Sequence, residues 1–219
     1  MKYKIAIFDM DGTILNTLDD LADSMNHCLR ARGLAERSLQ EIRTFLGNGI
    51  HRLVECSVPD GTDAETLEKV YQDFLIYYKD HCAIKTCPYE GIPQVLQSLR
   101  RAGVLTAVVS NKADYAVKIL CEDYFDGQFD FSVGELEGRR RKPYQDSVDA
   151  VMENFRIAKK DAVYIGDSEV DFQTAQNAGV DVIMVGWGFR DEDFLKEQGA
   201  KFVIHDPAEI LDAIGVPRE

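Results

Sequence analysis

Residues 4–17 read KIAIFDMDGTILNT, an apolar run that ends in two aspartates one residue apart. The run KIAIF predicts a buried β-strand, and Asp9 and Asp11 follow it at once. Two carboxylates this close repel each other unless a cation, a proton or open water offsets their charge. The chemistry of the chain therefore depends on which groups the fold brings to the end of this strand.

The composition is that of an ordinary globular protein. Hydrophobic residues make up 45% of the 219 residues and charged residues 29%, which argues against disorder and against a fibrous repeat. No apolar run approaches the roughly 18 to 20 residues needed to cross a bilayer. Acidic residues follow the first apolar run directly, which is not the pattern of a signal peptide. We therefore expect a cytoplasmic protein.

The charge and the cysteine content exclude several classes of function. The net charge of −13 disfavours binding to nucleic acid or to an anionic membrane surface, so an anionic substrate would need local positive charge. Five cysteines without a CxxC pair predict neither a disulfide framework nor a zinc site. The four histidines are scattered and lack the spacing of metal ligands.

Strand-like runs alternate with helical patterns along most of the chain. The strand-like runs are residues 4–8, 104–109, 129–133, 162–166, 181–186 and 201–204. The helical patterns among them are residues 92–102, 115–124, 144–155, 172–178, 193–198 and 208–214. Steady alternation of this kind predicts parallel strands joined by crossover helices. The expected fold class is α/β, with a doubly wound parallel sheet.

One interval contains helical patterns only, at residues 18–32, 39–46, 50–57 and 64–82. The last carries an apolar stripe at helical spacing, and SLQE from Ser38 is typical of a capping box. So long a helical stretch is no simple crossover between strands. We therefore predict an inserted all-α domain at residues 16–87, with residues 1–15 and 88–219 forming the α/β core.

Polar residues cluster where the predicted strands end. In doubly wound sheets, ligands bind at the carboxyl ends of the strands, near the point where the winding reverses. The candidates at that edge are Asp9, Asp11 and Thr13; Ser110, Asn111 and Lys112; Lys142, after the arginines at 139–141; and Asp167, Ser168 and Asp171. Segments far apart in sequence should therefore meet in one small, acidic volume.

Carboxylates crowded together in this way favour a hard divalent cation. Oxygen ligands without histidine or cysteine indicate Mg²⁺ rather than zinc, and Mg²⁺ is commonly shared with a substrate phosphate. Ser110, Thr13 and Lys142 are suitable donors for the charge of a phosphoryl group. A small phosphorylated metabolite is thus the expected partner.

The two aspartates of the first motif can take different roles in phosphoryl transfer. Asp9, at the tip of the strand, could attack phosphorus and form an aspartyl-phosphate. Asp11 could protonate the departing alkoxide and later deprotonate the attacking water.

Four motifs in this order resemble those of the haloacid dehalogenase superfamily of phosphohydrolases. They are FDMDGT, VVSNK, the pair Lys142 and Pro143, and GDSEVD. The resemblance covers nearly the whole chain, because the helical insertion matches the helical cap of that superfamily. It implies a Rossmann-like core and a phosphoric monoester hydrolase that requires Mg²⁺.

The resemblance also implies a role for each matched residue. Asp9 is then the nucleophile and Asp11 the general acid and base, while Ser110 and Lys142 bind substrate phosphate. Thr13 and Asn111 are further candidates for phosphate binding. The metal would be held by Asp9, the Asp11 carbonyl and Asp167. Asp171 would orient the lysine or a metal-bound water.

Within the superfamily, the chain is most similar to the phosphoglycolate phosphatase group. DGTILNTLDDL resembles the first motif of that group, and FLGNGIHRLVE resembles its glycine-containing cap loop. Tyr144 and Gln145 stand where the group usually has a short residue and a proline, after the arginines at 139–141. The physiological substrate, the selecting cap residues and the choice between monomer and homodimer therefore stay open.

Two other functions fit parts of the pattern. A sugar phosphomutase of the same superfamily would commonly carry a histidine shortly after the first motif, where this chain has Leu21. A binding protein built on an inactive hydrolase fold would have no need to keep Asp9, Asp11, Lys142 and Asp167 together. Both alternatives are therefore less favoured than a phosphatase.

Overall fold

The computed structural model describes residues 1–218 of the chain. Its strands are β1 Ile5–Phe8, β2 Leu15–Asn16, β3 Cys87–Pro88, β4 Leu105–Ala113, β5 Phe131–Glu135, β6 Ala162–Gly166, β7 Asp181–Val185 and β8 Val203–Ile204. Its helices are α1 Leu18–Ala31, α2 Leu39–Phe45, α3 Gly49–Ser57, α4 Ala64–His81, α5 Ile92–Arg101, α6 Asp114–Phe125, α7 Asp146–Phe155, α8 Glu169–Ala178, α9 Glu192–Glu197 and α10 Glu209–Ile214.

Six of the strands form one parallel sheet in the order β5-β4-β1-β6-β7-β8. β1 lies at the centre, where Phe8 is level with Val108 of β4 on one side and with Ile165 of β6 on the other. The winding reverses at β1, so this strand ends at the point where doubly wound sheets bind ligands. The predicted α/β class with a doubly wound parallel sheet is confirmed.

Helices cover both faces of the sheet, which explains why the central strand is apolar throughout. Alternate residues of β1 point to opposite faces. Ala6 and Phe8 belong to the core layer that α5, α6 and α10 complete, whereas Ile5 and Ile7 belong to the layer completed by α7 and α8. All four side chains are fully buried. The strand leading to Asp9 is therefore held from both sides.

Two boundaries differ from the sequence-based expectation in a way that bears on function. β4 extends to Ala113, so Ser110, Asn111 and Lys112 lie within the strand and not after it. The register between β4 and β5 shifts between Val109 and Ala113. α8 begins at Glu169, three residues earlier than predicted, because Ser168 and Asp171 form a capping box that starts the helix.

The chain divides into two compact units. One consists of Met1–Leu15 and Pro88–Glu219, and the other of Asn16–Cys87. The short strands β2 and β3 stand at the two ends of the second unit and pair with each other. Within residues 1–218, no helix has the length and apolar character that crossing a bilayer requires.

The Asn16–Cys87 unit is built from α1 to α4. On α4, Val70, Phe74 and Tyr78 recur every fourth residue and are buried. The other residues of the predicted apolar stripe are half-buried; they are Leu67, Tyr71 and Leu75. Ser38 caps α2 in the expected capping box with Glu41. Leu21 is buried in this unit as a core residue of α1.

The first turn of α1 also carries a buried carboxylate, that of Asp20. It accepts the backbone N–H groups of Ile84, Lys85 and Thr86 at 2.8–3.0 Å. These three residues follow α4 and lie outside the helices and strands. Asp20 therefore fastens the end of the helical unit to its beginning.

Replacing Asp20 with Ala should destabilise the helical unit. Three backbone donors would lose a charged acceptor in a buried place, which costs about 3 kcal/mol in the free energy of unfolding. Chemical denaturation followed by circular dichroism measures the change. The matched control is Asp23→Ala, which removes only the exposed ion pair with Lys85 and should leave stability nearly unchanged. Equal effects of the two substitutions would contradict this account of Asp20.

Candidate active site

The predicted carboxylates meet at the carboxyl edge of the sheet. Asp9 directly follows β1, and its N–H donates to the carbonyl oxygen of Ile165 at 2.9 Å, so the central strand holds its backbone. One carboxylate oxygen from each of Asp9, Asp167 and Asp171 lies within 4.8 Å of the others. All three residues are buried. The convergence expected from topology is therefore present in the structure.

Lys142 lies between two of these carboxylates. Its Nζ is 2.7 Å from Asp9 Oδ1 and 2.7 Å from Asp171 Oδ1, and its side chain is 3% exposed. Both contacts are ion pairs, and the contact with Asp171 is also a hydrogen bond. Asp9 Oδ1 is thus buried beside a cation and still has lone pairs to offer.

Asp171 is the most fully engaged of the three carboxylates. Besides the bond from Lys142, its second oxygen accepts the backbone N–H of Ser168 at 3.0 Å and the Ser168 hydroxyl at 2.6 Å. These donors hold the Asp171 carboxylate in one orientation. Its contacts fit the predicted role of orienting Lys142.

Asp167 is held from two sides by different donors. Its Oδ1 accepts the hydroxyl of Thr13 at 3.0 Å, and its Oδ2 accepts the backbone N–H of Phe189 at 2.7 Å. The loop that carries Phe189 follows β7, and Trp187 in the same loop donates from Nε1 to the carbonyl oxygen of Thr13 at 3.1 Å. This loop therefore fixes both Asp167 and the segment after Asp11.

Glycines make room for the acidic cluster. A Cβ atom at Gly12 or at Gly188 would clash with the Asp167 carboxylate, and one at Gly166 would clash with the side chain of Asp171. Gly12 also has φ 84°, in the left-handed region that favours glycine. Any side chain at these positions would displace a carboxylate.

Burial makes the charged forms of these acids unfavourable. Desolvation, with the charge of Asp171 second, raises the pKa of Asp9 well above its ordinary value, against the opposing effect of Lys142. The same two causes raise the pKa of Asp167 to about 7. Burial alone would lower the pKa of Lys142, but the charges of Asp171 and Asp9 outweigh it and raise that pKa. One lysine cannot compensate three carboxylates, so the cluster has room for a further positive charge.

The donor set suits a hard divalent cation. The three side chains offer only carboxylate oxygens, and one of them, Asp9 Oδ1, accepts no hydrogen bond. Magnesium and similar ions favour oxygen ligands of this type. Asp171 accepts hydrogen bonds from the Lys142 ammonium and from two donors of Ser168, whereas Asp167 accepts one bond on each oxygen and Asp9 Oδ1 accepts none. Asp9 and Asp167 are therefore the side chains best placed to supply ligands.

Two of the predicted phosphate-binding residues, Thr13 and Asn111, contact members of this site directly. Thr13 and Ser110 are buried, and the Thr13 hydroxyl is engaged with Asp167. The side-chain amide of Asn111 donates to the backbone oxygen of Lys142 at 3.2 Å and accepts its N–H at 2.9 Å. These contacts give Asn111 a part in positioning Lys142.

Asp11 faces a different partner from Asp9. Its Oδ1 accepts a hydrogen bond from Lys112 Nζ at 2.9 Å, and its side chain is 22% exposed. Arg140 of the basic run forms an ion pair with Asp146 and lies over the ring of Tyr144. The two aspartates of the first motif thus have different lysine partners, and Asp11 is the more exposed of the two.

Sequence reasoning missed two parts of the site. Tyr164 lies within β6; its hydroxyl accepts from Lys142 Nζ at 3.2 Å and donates to the Val109 carbonyl oxygen at 3.0 Å. Burial raises the pKa of Tyr164 well above its ordinary value, so it remains a neutral donor. The loop with Gly188 and Phe189 was also overlooked, although GWGF follows a predicted strand at the edge where the other motifs lie.

Comparison with known proteins gives a consistent result. A family model described as haloacid dehalogenase-like hydrolase matches residues 6–185. An N-acetylmuramic acid 6-phosphate phosphatase from Pseudomonas aeruginosa is 28% identical over 216 residues, covering 98% of this chain and 96% of that protein. A phosphoglycolate phosphatase from Rhodobacter capsulatus is 34% identical over 188 residues, covering 84% of each chain.

Solved structures extend the similarity to three dimensions. The crystal structure of a candidate phosphoglycolate phosphatase from Lactobacillus delbrueckii subsp. bulgaricus superposes with a TM-score of 0.93 at 38% identity. The match covers 98% of this chain and 99% of that one. Together with the family model, which spans most of the α/β unit and the whole helical unit, this similarity confirms the resemblance seen in the motifs. The chain belongs to the haloacid dehalogenase-like hydrolase family.

Proposed function

We propose that the protein is a Mg²⁺-dependent phosphatase that hydrolyses a small phosphomonoester through an aspartyl-phosphate on Asp9. The observation that carries the proposal is the Asp9 carboxylate itself. It is fixed at the end of the central strand, beside the Lys142 ammonium and within a buried acidic cluster. A rigid carboxylate next to a cation suits in-line attack on a phosphoryl group.

Two steps complete the reaction. In the first, an oxygen of Asp9 bonds to phosphorus while the bond from phosphorus to the ester oxygen breaks, and Asp11 gives its proton to the departing oxygen. In the second, water attacks phosphorus, its proton passes to Asp11, and the bond to Asp9 breaks to release phosphate. Asp11 is therefore protonated again at the end of the cycle.

The remaining residues hold and neutralise the phosphoryl group. Asp9, Asp167 and the Asp11 carbonyl would hold Mg²⁺, which supplies positive charge for the phosphoryl oxygens and the nucleophile. Lys142 would contact the phosphoryl oxygens, with Ser110 as a hydroxyl donor, while the Thr13 hydroxyl donates to the Asp167 carboxylate. Asn111 and Asp171 keep the Lys142 loop and side chain in place.

The names of the relatives suggest the substrate class. Phosphoglycolate and N-acetylmuramic acid 6-phosphate differ greatly in size, but each joins a phosphomonoester to a group that carries a carboxylate. We propose a phosphorylated hydroxy acid as the substrate, and residues 16–87 as the cap that selects it. A panel with 2-phosphoglycolate, N-acetylmuramic acid 6-phosphate and a hexose phosphate, assayed for phosphate release, tests this class.

Asp9→Asn should abolish turnover of every phosphomonoester in the panel. The amide cannot act as the nucleophile, so a loss of at least about 10³-fold is expected. The control is Asp161→Asn, which removes a carboxylate paired with Lys4 at the amino end of the same sheet and should leave activity unchanged. Phosphate release measures the rate, and the mass of acid-quenched protein shows whether Asp9 becomes phosphorylated. Retained turnover in the Asp9 variant would refute the mechanism.

Asp167→Asn should stabilise the metal-free protein and remove its response to Mg²⁺. Above pH 7 the ionised Asp167 is unfavourable in the folded state, since its pKa there is about 7; below about pH 4 the acid is protonated in both states and the penalty vanishes. The variant should therefore melt a few degrees higher than the wild type at pH 8, and the difference should shrink on acidification.

Addition of Mg²⁺ provides the second half of this test. The wild type and Asp161→Asn should melt at higher temperature with Mg²⁺, because the ion binds the folded state. Thermal unfolding with and without chelator measures the shift. Equal stabilisation of the Asp167 variant would exclude Asp167 as a ligand.

A further inference from the structure

A second buried lysine contacts the other aspartate of the first motif. The side chain of Lys112 is 3% exposed, and its Nζ donates to Asp11 Oδ1 at 2.9 Å. Burying an ammonium is unfavourable unless a carboxylate compensates its charge. Asp11 provides such compensation, so the position of its carboxylate is tied to that of the lysine.

The backbone is fixed at both ends of this ion pair. Lys112 lies in β4, and its N–H donates to Ser110 Oγ at 3.2 Å. On the other side, the Met10 carbonyl oxygen accepts the N–H groups of Thr13, Ile14 and Leu15, which closes a tight turn around Asp11. Rotation about the side-chain bonds is the freedom left to the Asp11 carboxylate, and the bond from Lys112 restricts it.

We infer that Lys112 is a positioning residue for the general acid and base. It holds Asp11 by Oδ1, so that Oδ2 exchanges the proton with the departing oxygen and then with the attacking water. The inference rests on the proposed function, in which Asp11 has that role. The two buried lysines would then serve different carboxylates: Lys142 the nucleophile, and Lys112 the proton-transferring group.

Leaving groups of different basicity distinguish this role from a merely structural one. When the bond between phosphorus and the ester oxygen breaks, a basic oxygen needs the proton of Asp11, whereas a nitrophenolate departs without it. Loss of proper Asp11 geometry should therefore slow esters of basic alcohols and phenols far more than nitrophenyl esters. Damage to the nucleophile or to the metal ligands would slow both classes alike.

The experiment compares phenyl phosphate with 4-nitrophenyl phosphate in the Lys112→Met variant. The two esters share the ring and differ in the basicity of the leaving oxygen. Rapid-quench measurement of the first turnover gives the rate of phenol release for each, separately from hydrolysis of the phosphorylated enzyme. The fold is checked by thermal unfolding with and without Mg²⁺, which reports on the nucleophile and metal ligands.

The first-turnover rate should fall about 30-fold or more for phenyl phosphate and less than about threefold for 4-nitrophenyl phosphate. Later turnovers of both esters should slow, since the same carboxylate accepts the proton of the attacking water. Lys112→Arg should recover most of the loss, because it keeps the charge that Asp11 contacts. The control Lys118→Met, which breaks an exposed ion pair with Asp114, should match the wild type.

Equal losses for the two esters, or no loss for either, would overturn the inference while the wild type remains an active phosphatase. A wild type inactive on every phosphomonoester would instead refute the proposed function and the inference with it. The two failures are therefore distinguishable by the wild-type rates alone.

Discussion

A single buried ammonium shared by two carboxylates is the interaction on which this site depends. Lys142 lies 2.7 Å from both Asp9 and Asp171, and none of the three side chains is open to solvent. Removing one member of such a group leaves a buried charge without compensation, at a cost of about 3–5 kcal/mol. Asn111, Tyr164 and Ser168 all act on this group, either by fixing the Lys142 loop or by fixing its partners.

The rest of the architecture places that group where it can act. β1 is central and apolar on both faces, so Asp9 stands at the end of a strand that helices clamp from two sides. Glycines at 12, 166 and 188 leave the volume that the carboxylates occupy. The same strand therefore contributes side chains to the core and leads to Asp9 at its end. The position of Asp9 consequently depends on the packing of the whole sheet.

The fold could be predicted from the sequence more completely than the contacts within the site. Alternating strand and helix patterns predicted the doubly wound sheet, because periodicity and the capping residues around it are local properties. The same reasoning ended β4 at Val109, since Ser110, Asn111 and Lys112 are polar, but pairing with β5 carries the strand to Ala113. Pairing between strands depends on a neighbour distant in sequence, and polarity alone does not reveal it.

Contacts within the site show the same limit. The resemblance indicated which carboxylates belong together, and the structure brings Asp9, Asp167 and Asp171 within one cluster. It did not indicate that the Asn111 amide would bind the backbone of Lys142, or that Phe189 would donate to Asp167. Such bonds join loops after different strands, and their geometry follows from the assembled sheet rather than from any local pattern.

The pairing of Leu15–Asn16 with Cys87–Pro88 has a consequence for how such proteins can diversify. The chain leaves the α/β unit and re-enters it at adjacent points, so the length of the intervening stretch does not affect the spacing of the strands around it. A gene segment that encodes residues 16–87 could be exchanged for one of another length while β1 and α5 stay where they are. If residues 16–87 select the substrate, as proposed above, recombination at this junction would change what the enzyme recognises and leave its chemistry in place.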